Sequence, residues 1–407
     1  MSRFPRMQLR RLFRVVNGGT PRSNPENWDG DIPWATPVDL GAANGGYLGQ
    51  TARSITSSGL ATGSAAVPPG SLIVSTRAPI GYVVETTMAM AFNQGCHGLV
   101  PTRRLSIRYF RYLLLAQAPV LAAYGQGSTF LELSSDGLAS LEVLAPSTVQ
   151  QDDIADYLDR GTGKVDRLTR LREQQAAVLD ERLQVLRDEW VRTQYARWGR
   201  VPLRRMLSSI EQGWSPQCDA AEAAGDEWGV IKTSAVSSGS FRPAENKTLP
   251  PEITPDRRWI IRDGDLLMVR GSGSAGAVGQ VAVANTEGRH LMLCDLVYRL
   301  IPKGPACPQY LAAALTAPAV RSYIEGAIRS DVGLTLKLRG DDVRMLPVPS
   351  APASKQHSEW EALAEMCRTT QALALTLNAQ SALLRERRLA LIVAAVTGEL
   401  RIPKVTA

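Results

Sequence analysis

An internal repeat constrains the fold of this chain more than any other feature of its sequence. Residues 7–12 (MQLRRL) lead to Gly-Thr-Pro at 19–21, and residues 201–206 (VPLRRM) lead in the same way to Trp-Ser-Pro at 214–216. Two copies about 200 residues apart predict two similar folded units rather than one large domain. Because the Arg-rich N-terminal segment is repeated in the middle of the chain, we expect it to be the start of a folded unit and not a transit peptide.

The match between the copies continues through strands and short helices. Residues 69–76 and 263–270 each read as a turn followed by a strand of β-branched and apolar residues. Residues 109–115 and 310–315 are predicted short helices, and each is followed by an Ala-Pro pair that stops it. The repeat therefore predicts the same α/β order of elements twice.

Each copy ends in a long helical segment, over about 151–194 in the first and about 355–397 in the second. In the second segment apolar residues recur at alternating steps of three and four, which is typical of a coiled-coil seam. Gly161 and Gly163 indicate a weak first turn in the first segment. Two ordinary amphipathic helices packed on globular cores are the alternative. The predicted seam and partner-binding residues are Leu168, Leu171, Val178, Leu363, Met366, Leu373, Leu377, Leu384 and Leu391.

The order of parts is globule, long helix, globule, long helix. The predicted segments are a first domain at 1–150, a helix at 151–198, a second domain at 199–352 and a C-terminal helix at 353–407. Because each seam needs a partner, we predict that the helices pair antiparallel, so that two α/β or α+β domains are joined by a coiled coil. A helix from Ile154 to Glu189 would be ~54 Å long and match roughly 16 base pairs, as a ruler between two half-sites.

Composition limits the compartment and the kind of partner. The chain has 407 residues and a net charge of +7, which is compatible with a polyanionic partner but is a weak signal alone. Its five cysteines are widely spaced and form no CxxC pair, so we expect neither a disulfide framework nor a zinc site, and a cytoplasmic location. No apolar run approaches the ~20 residues of a membrane span, so no membrane partner is expected.

Motifs of the first copy resemble a known family, the specificity subunits of type I restriction–modification enzymes. The segments similar to that family's target recognition domain are residues 18–21 (GGTP), 28–40 (WDGDIPWATPVDL), 75–82 (STRAPIGY), 93–96 (NQGC), 127–129 (GST) and 144–146 (LAP). Residues 384–400 (LRERRLALIVAAVTGEL) are similar to the family's terminal conserved helix. The order of these parts follows the family along essentially the whole chain.

The resemblance implies a DNA-reading subunit that is not itself an enzyme. It implies binding to double-stranded DNA, to two adenine-N6 methyltransferase subunits through the conserved helices, and to endonuclease/translocase subunits. It also implies that the methyltransferase partner binds S-adenosylmethionine and the endonuclease partner binds ATP and Mg²⁺, so no cofactor is expected in this chain. The target adenine would be flipped out of the duplex into the methyltransferase pocket.

The second copy departs from the family's motifs. Gly-Trp-Ser-Pro at 213–216 replaces Gly-Gly-Thr-Pro, Val-Arg-Gly-Ser-Gly at 269–273 replaces Ser-Thr-Arg-Ala-Pro, and Leu-Met-Leu-Cys at 291–294 replaces Asn-Gln-Gly-Cys. We infer that the two domains read different sequences, so that the target is bipartite and asymmetric with one half-site per domain.

Polar side chains in loops are the candidates for contact with DNA. Arg77 suits bidentate contact with guanine or a phosphate, and Asn93 and Gln94 suit an adenine edge. The others are short polar or basic groups that could reach base edges or phosphates, with ordinary turn chemistry as the alternative. The predicted DNA-binding residues are Thr20, Arg22, Thr36, Asp39, Ser75, Thr76, Arg77, Asn93, Gln94 and Ser128 in the first domain, and Lys232, Thr233, Arg270, Ser272, Arg329, Lys337 and Arg339 in the second.

A self-contained DNA methyltransferase or nuclease with built-in recognition domains is the main alternative. An amino-methyltransferase needs an Asp/Asn-Pro-Pro-aromatic motif, which the Pro-Pro pairs at 68–69 and 250–251 lack. A metal-dependent nuclease needs clustered carboxylates with a lysine, of which Glu245 and Lys247 are only a fragment. Residues 271–276 fit GxGxxG, but a predicted strand follows instead of the helix of a dinucleotide site. Large globules with polar loops disfavour a purely structural coiled-coil protein.

Overall fold

The chain divides into two compact units. The structure, a computed structural model, describes residues 4–77, 79–125, 131–237, 239–330 and 335–402. Unit 1 comprises Met1–Glu173 and Ala379–Ala407, and unit 2 comprises Gln174–Asn378. Each unit therefore contains one globule and part of both long helices. The four domain boundaries drawn from the sequence stay predictions.

Unit 1 folds into short strands and helices that precede a long helix. Its strands are β1 (Arg6–Gln8), β2 (Phe13–Asn17), β3 (Trp28–Ala35), β4 (Tyr47–Leu48), β5 (Ser54–Ile55), β6 (Ala65–Val67), β7 (Leu72–Ser75), β8 (Val83–Thr86), β9 (Met90–Phe92), β10 (Cys96–Pro101) and β11 (Glu142–Leu144). Its helices are α1 (Pro37–Ala42), α2 (Ser57–Gly63), α3 (Ile107–Ala116), α4 (Ala118–Ala123), α5 (Ser135–Ser140) and the start of α6 (Thr148–Trp198).

Two sheets set the layout of the loops in unit 1. The strand order is β2-β10-β7-β8-β4 in one sheet and β5-β3-β9-β6 in the other. Strand β10 is antiparallel to both β2 and β7, whereas β3 and β9 are parallel. The pair β1-β11 holds the first strand beside the segment that leads into α6.

Unit 2 begins with the end of α6 and has its own set of short elements. Its strands are β12 (Arg200–Pro202), β13 (Leu207–Gln212), β14 (Trp228–Ile231), β15 (Asn246–Thr248), β16 (Leu266–Val269), β17 (Gly271–Ser272), β18 (Val281–Val283), β19 (His290–Met292), β20 (Val297–Pro302), β21 (Arg329–Ser330), β22 (Leu336–Lys337) and β23 (Pro347–Pro349). Its helices are α7 (Pro308–Thr316), α8 (Pro318–Ala327), α9 (Gly340–Met345) and the start of α10 (Ala353–Thr397). No helix in the described part of the chain has the length and apolar character needed to cross a membrane.

The predicted repeat is present as a shared topology. In unit 2 the strand orders are β13-β20-β16-β18 and β15-β14-β19, with β14 parallel to β19, as β3 is to β9 in unit 1. The pair β12-β23 repeats β1-β11. Unit 2 adds the small sheet β17-β22-β21, and in the described part of unit 1 an isolated bridge between Arg77 and Glu132 lies at the corresponding place. The predicted fold class, two α/β repeats each followed by a long helix, is confirmed.

Each Ala-Pro pair ends one short helix and opens the next. Pro119 lies in the first turn of α4, and Pro318 is the first residue of α8. Proline is well tolerated there because the backbone N–H groups of a first helical turn have no intrahelical acceptor. The predicted stops are therefore also helix starts.

The main core of each unit takes side chains from both long helices. In unit 1, Ile154 and Leu158 of α6 are buried together with Ile392 of α10. In unit 2, Val191 of α6 is buried together with Leu363 of α10. Because burial of one aliphatic side chain contributes about 1.5–3 kcal/mol, these contacts fix both helices on each globule.

In unit 1 the two long helices run antiparallel. Arg388 of α10 pairs with Asp166 of α6 at 2.7 Å, and Arg385 pairs with Glu173. An earlier residue of α10 thus meets a later residue of α6, as the antiparallel prediction requires.

In unit 2 the helices are antiparallel as well, and the end of α6 is anchored to the globule. Trp190 Nε1 donates a hydrogen bond of 3.2 Å to the carbonyl of Glu359, and Gln194 donates to the Glu359 carboxylate at 2.7 Å. The Trp190 ring packs edge-on against Tyr310 of α7, with 5.3 Å between ring centroids. This aromatic side chain therefore holds α6 on the second globule.

The seam of α10 differs from its prediction at every second position, where the buried residue is the one that follows the predicted residue. Between residues 363 and 381 the buried residues of α10 are Leu363, Cys367, Thr370, Ala374, Leu377 and Ser381, and those along the corresponding part of α6 include Thr162, Thr169, Ala176 and Leu183. Leu384 and Leu391 are half-buried. The predicted seam residues that are instead exposed are Leu168, Leu171, Val178, Met366 and Leu373. Small side chains occupy the seam because they allow the helix backbones to approach closely, and a count of large apolar residues misses them.

Helix α6 is continuous through the turn that was predicted to be weak. Gly161 lies within it, and a Cβ at this position would approach Leu391 Cδ2 of α10 to 2.9 Å. Glycine therefore makes room for a partner side chain here instead of breaking the helix.

The seam register can be tested by placing one charge at two neighbouring positions of α10. Leu377 is 5% exposed and Leu373 is 49% exposed. We expect Leu377→Asp to lower the free energy of unfolding by about 3 kcal/mol or more, because it buries a carboxylate without a partner. Leu373→Asp is the matched control and should change stability by about 0.5 kcal/mol or less. Denaturant unfolding of both variants measures the difference, and equal losses would contradict the register.

Candidate DNA interface

Three loops of unit 1 meet at one edge of its larger sheet. Because β10 runs antiparallel between β2 and β7, the start of β10 lies beside the ends of both neighbours. The register places His97 opposite Asn17 and Cys96 opposite Ser75. The backbone N–H of Thr76 donates to the carbonyl of Gly95 at 2.8 Å, which ties the loops together.

The second sheet of unit 1 brings a fourth loop to the same place. Strands β3 and β9 are parallel and end together, so the N–H of Asn93 donates to the carbonyl of Ala35 at 2.9 Å. The N–H of Gly19 donates to the carbonyl of Phe92, also at 2.9 Å. We call residues 18–22, 36–39, 76–77, 79–82 and 93–95 the recognition edge of unit 1.

Close backbone packing explains the paired glycines of the first loop. A Cβ on Gly18 would lie 1.9 Å from the carbonyl oxygen of Asn93, a distance that no side chain can adopt. In unit 2, a Cβ on Gly213 would lie 2.1 Å from the carbonyl oxygen of Leu293. Glycine is thus required in both copies because two loops cross at van der Waals distance or less.

Several predicted residues lie exposed on this edge. Thr20, Arg22 and Gln94 are exposed, and the Thr20 hydroxyl donates to the Gln94 side-chain oxygen. Arg77 is also exposed, and its guanidinium pairs with Glu132 at 3.1 Å. The structure therefore brings these four side chains to one surface.

Asn93 is half-buried and has a local partner. Its Oδ1 accepts a hydrogen bond of 3.0 Å from the N–H of Gly95, which closes the turn before β10. The Nδ2 group has no partner among the described residues. Ser128, the remaining candidate of the first domain, lies outside the described residues.

Ser75 and Thr76 are fully buried, which corrects their assignment as DNA contacts. The Ser75 hydroxyl donates to the carbonyl of Pro79 at 2.7 Å and accepts from the N–H of Tyr82 at 2.9 Å. Ser75 therefore fixes the shape of the loop that carries Arg77, and neither hydroxyl reaches the surface. The short polar character of Ser75 reflects turn chemistry, whereas the buried Thr76 hydroxyl has no hydrogen-bond partner among the described residues.

Thr36 and Asp39 form a capping box at the start of α1, and this too differs from their predicted role. Asp39 Oδ2 accepts from the Thr36 N–H at 2.9 Å and from its hydroxyl at 2.6 Å. The second carboxylate oxygen accepts from the N–H of Ala52 at 2.9 Å. Because both oxygens of Asp39 are already bonded within the domain, these two residues position the loop rather than offer free groups at its surface.

Unit 2 builds the same edge from different side chains. The N–H of Trp214 donates to the carbonyl of Leu293 at 3.0 Å, as Gly19 donates to Phe92 in unit 1. The Ser215 hydroxyl donates to the Asp295 carboxylate, in the place of the bond between Thr20 and Gln94. The bulky Trp214 is 42% exposed where unit 1 has a glycine.

Most of the basic candidates of the second domain lie on or next to the small sheet β17-β22-β21. Lys337 is opposite both Gly271 and Arg329 in that sheet, and Arg339 follows shortly after it. Arg339 is exposed, and the Arg329 guanidinium is 60% exposed with Asp342 3.9 Å away. Ser272 is half-buried, and its hydroxyl accepts from the N–H of Ser274 at 3.2 Å.

Arg270 also lies at this edge, but its side chain is committed within the domain. Its Nε donates to the hydroxyl of Tyr298 at 3.1 Å, and its Nη1 lies 3.4 Å from the carbonyl of Asp295. Lys232 and Thr233 follow β14, which ends beside β19, and both are half-buried. The second edge thus collects the predicted residues, with Arg329 and Arg339 the most accessible cations.

An arginine that none of the sequence motifs includes lies beside the recognition edge of unit 1. The Arg53 guanidinium carbon lies 3.7 Å from the centre of the Trp28 ring. The indole N–H groups of Trp28 and Trp34 donate to the carbonyls of Arg22 and Gly19, both at 3.0 Å. The contact joins Arg53 and Trp28, which are 25 positions apart, so it cannot be read from a local motif. The aromatic residues of 28–34 were the one sequence feature that could have pointed to it.

The titratable groups buried near the first edge are held in their neutral forms. Burial raises the pKa of the Cys96 thiol to about 12, with a further contribution from the Asp39 carboxylate. Burial lowers the pKa of His97, whose Nε2 lies 3.2 Å from the carbonyl of Leu133. Within the described ranges, no three His, Cys, Asp or Glu side chains are placed to hold a metal ion. The exposed groups of the edge can bind a ligand through hydrogen bonds and charge.

The first part of the chain matches a known domain family. The model of the type I restriction modification DNA specificity domain matches residues 1–179. The specificity subunit of type I restriction enzyme MjaIX from Methanocaldococcus jannaschii is 33% identical over 155 residues, which is 37% of this chain and 36% of that protein. The EcoEI specificity subunit of Escherichia coli is 26% identical over 161 residues, which is 39% of this chain and 27% of that protein. The matched stretch thus spans about a third of these relatives.

The fold of the whole chain also has a counterpart among solved structures. A chain from a structure of the assembly and conformational transition of the type I R-M system superposes with a TM-score of 0.57 at 14% identity, covering 98% of both chains. This similarity concerns the fold alone. Residues 1–179 are therefore similar to type I restriction modification DNA specificity domains, and the chain as a whole has the fold of a chain from a type I R-M system structure.

Proposed function

We propose that the chain is the DNA specificity subunit of a type I restriction–modification enzyme and acts in the cytoplasm. The observation that carries this proposal is the recurrence of one loop-bearing edge in both units, each with exposed hydrogen-bonding and cationic side chains. Arg22 and Gln94 lie exposed on the first edge, and Arg329 and Arg339 beside the second. Such groups bind DNA phosphates and base edges. The family match of residues 1–179 supports the same function.

The two edges carry different chemistry, which supports a bipartite and asymmetric target. Thr20 and Gln94 in unit 1 are replaced by Ser215 and Asp295 in unit 2. An amide offers both donors and acceptors, whereas a carboxylate only accepts, so the two edges favour different base edges. We infer that each domain reads its own half-site of double-stranded DNA.

The long helices are proposed to bind the catalytic partners. Met366 and Leu373 lie seven residues apart on α10 and so share one face, and both are about half exposed. Exposed apolar side chains in a row on a helix are typical of an interaction surface. We propose that two adenine-N6 methyltransferase subunits bind there and on the exposed apolar residues of α6, and that endonuclease/translocase subunits join this complex.

In this assembly the chain selects the DNA sequence and the partners supply the chemistry. The methyltransferase would bind S-adenosylmethionine and receive the flipped target adenine, and the endonuclease would bind ATP and Mg²⁺. The recognition edges would hold the duplex through phosphate contacts and choose its sequence through base contacts.

Exchange of one domain tests whether each domain reads one half-site. Replacement of residues 1–150 by the first domain of another specificity subunit should change one half of the methylated motif and leave the other half intact. The motif is measured by mapping N6-methyladenine after co-expression with the methyltransferase subunit. Replacement of residues 199–352 is the reciprocal control. A change of both halves after either exchange would contradict the modular account.

Charge placed on the exposed face of α10 tests the partner surface. The double variant Met366→Glu/Leu373→Glu should weaken binding of the methyltransferase subunit by about tenfold or more, since it removes two apolar contacts at the interface. Its unfolding should stay close to that of the unmodified chain, because both side chains are exposed.

Leu375→Glu is the matched control for this surface. Leu375 is also exposed but lies on the opposite flank of the seam, about 200° around the helix from Leu373. Binding is measured by titration of the methyltransferase subunit onto each purified variant. If Leu375→Glu weakened binding while the double variant bound normally, the proposed face would be wrong.

A further inference from the structure

We propose that Arg53 is a DNA-contacting residue of the first recognition domain, held in position by Trp28, and that its guanidinium binds a pair of acceptor atoms on the DNA. This inference rests on the proposed function and adds a residue that the motifs do not include. The acceptor pair is either the O6 and N7 edge of a guanine or two oxygens of a phosphate.

The Arg53 side chain is held by aromatic rings. Its guanidinium carbon lies 3.7 Å from the centre of the Trp28 ring and 5.6 Å from the centre of Trp34. The two indoles meet edge to face, with 5.0 Å between centroids and an interplanar angle of 90°. A cation over the face of a tryptophan is stabilised by the negative potential of the ring. The rings therefore restrict a side chain that is otherwise among the most mobile in proteins.

The backbone around Arg53 is fixed as well. The Arg53 carbonyl accepts from the N–H of Trp34 at 3.0 Å and from the hydroxyl of Thr51 at 2.6 Å. Strand β3 bulges between Trp28 and Ile32, both of which align with Ile55 of β5. The bulge keeps Trp28 beside the start of β5, next to Arg53. The stack thus lies where β3 pairs with β5: Trp28 and Trp34 belong to β3, and Arg53 immediately precedes β5.

The stack adjoins the recognition edge. The indole N–H of Trp28 donates to the carbonyl of Arg22, and that of Trp34 donates to the carbonyl of Gly19. These carbonyls belong to the loop that carries Thr20. The rings that hold Arg53 are therefore the same groups that shape the first loop of the edge.

The hydrogen-bond donors of Arg53 are available to a ligand. Arg53 is exposed, and its guanidinium has no carboxylate or other hydrogen-bond acceptor among the described residues of the chain. Arg77, by contrast, is paired with Glu132. A guanidinium that is oriented by stacking and keeps its donors free suits bidentate binding, because little side-chain freedom is lost when the ligand binds.

The test compares three variants of the full chain in complex with the methyltransferase subunit. Arg53→Ala removes the guanidinium, Arg53→Lys keeps the charge but loses the planar pair of donors, and Arg104→Ala is the control. Arg104 is an exposed arginine of the same domain that follows the far end of β10, away from the recognition edge. Binding to the target duplex and methylation of both half-sites are measured across a range of salt concentrations.

We expect Arg53→Ala to weaken binding to the target by about tenfold or more and Arg104→Ala to leave it unchanged. Arg53→Lys should recover only part of the loss, because an ammonium cannot make the bidentate contact. If the contact is to guanine, discrimination at one position of the first half-site should be lost. If the contact is to a phosphate, binding to all sequences should weaken alike. The slope of the logarithm of the binding constant against the logarithm of the salt concentration should then become shallower by about one.

The proposal would be overturned if Arg53→Ala matched Arg104→Ala in affinity, sequence preference and salt dependence, because Arg53 would then make no contact with the DNA. A loss caused by misfolding would also lower thermal stability and disturb the contacts of the edge, and it would be equal in Arg53→Lys. If the unmodified chain itself conferred no sequence preference on the methyltransferase, the proposed function would fail first, and the role of Arg53 with it.

Discussion

The burial of both long helices against each globule is the interaction on which the rest of the structure depends. In unit 1, Ile154 and Leu158 of α6 and Ile392 of α10 are buried in one core with residues of the strands and short helices. Unit 2 does the same with Val191 and Leu363. Because each helix is held by a globule, small side chains are sufficient in the seam between the helices.

The recognition edges depend on that framework through the strands. Strand β10 lies between β2 and β7, so three loops must emerge at one edge of the sheet, and the parallel pair β3 and β9 adds a fourth. Within the loops, buried groups such as Ser75 and Asp39 fix the backbone, and exposed groups such as Gln94 remain at the surface. Side chains that shape a loop and side chains exposed at the edge are thus neighbours in sequence but differ in burial.

The sequence predicted the repeat, both long helices and the loops of the edge, because each has a local signature. It could not predict which polar residues are exposed, since the burial of Ser75 and Thr76 depends on strands far away in the chain. The predicted seam register holds at Leu363 and Leu377 but not at Met366 and Leu373, for a related reason. Large residues such as Met366 satisfy the heptad pattern, but Cys367 and Ala374 are the buried neighbours, and their small size gives no hydrophobic signal.

The stacking of Arg53 on Trp28 lay beyond sequence analysis altogether, because it arises from the pairing of β3 with β5. The same holds for the bond between Ser215 and Asp295, which repeats the bond between Thr20 and Gln94 with other side chains. Positions that correspond through topology but not through residue type become visible only when the two units are compared strand by strand.

The most direct test of the central claim is a map of N6-methyladenine by single-molecule sequencing. The chain is co-expressed with the proposed methyltransferase partner in a host without other methylation, and the methyltransferase alone serves as the control. The account predicts methylation at one split, asymmetric motif, and only when this chain is present. Methylation at the same sites without the chain, or none in its presence, would contradict its role as the subunit that selects the sequence.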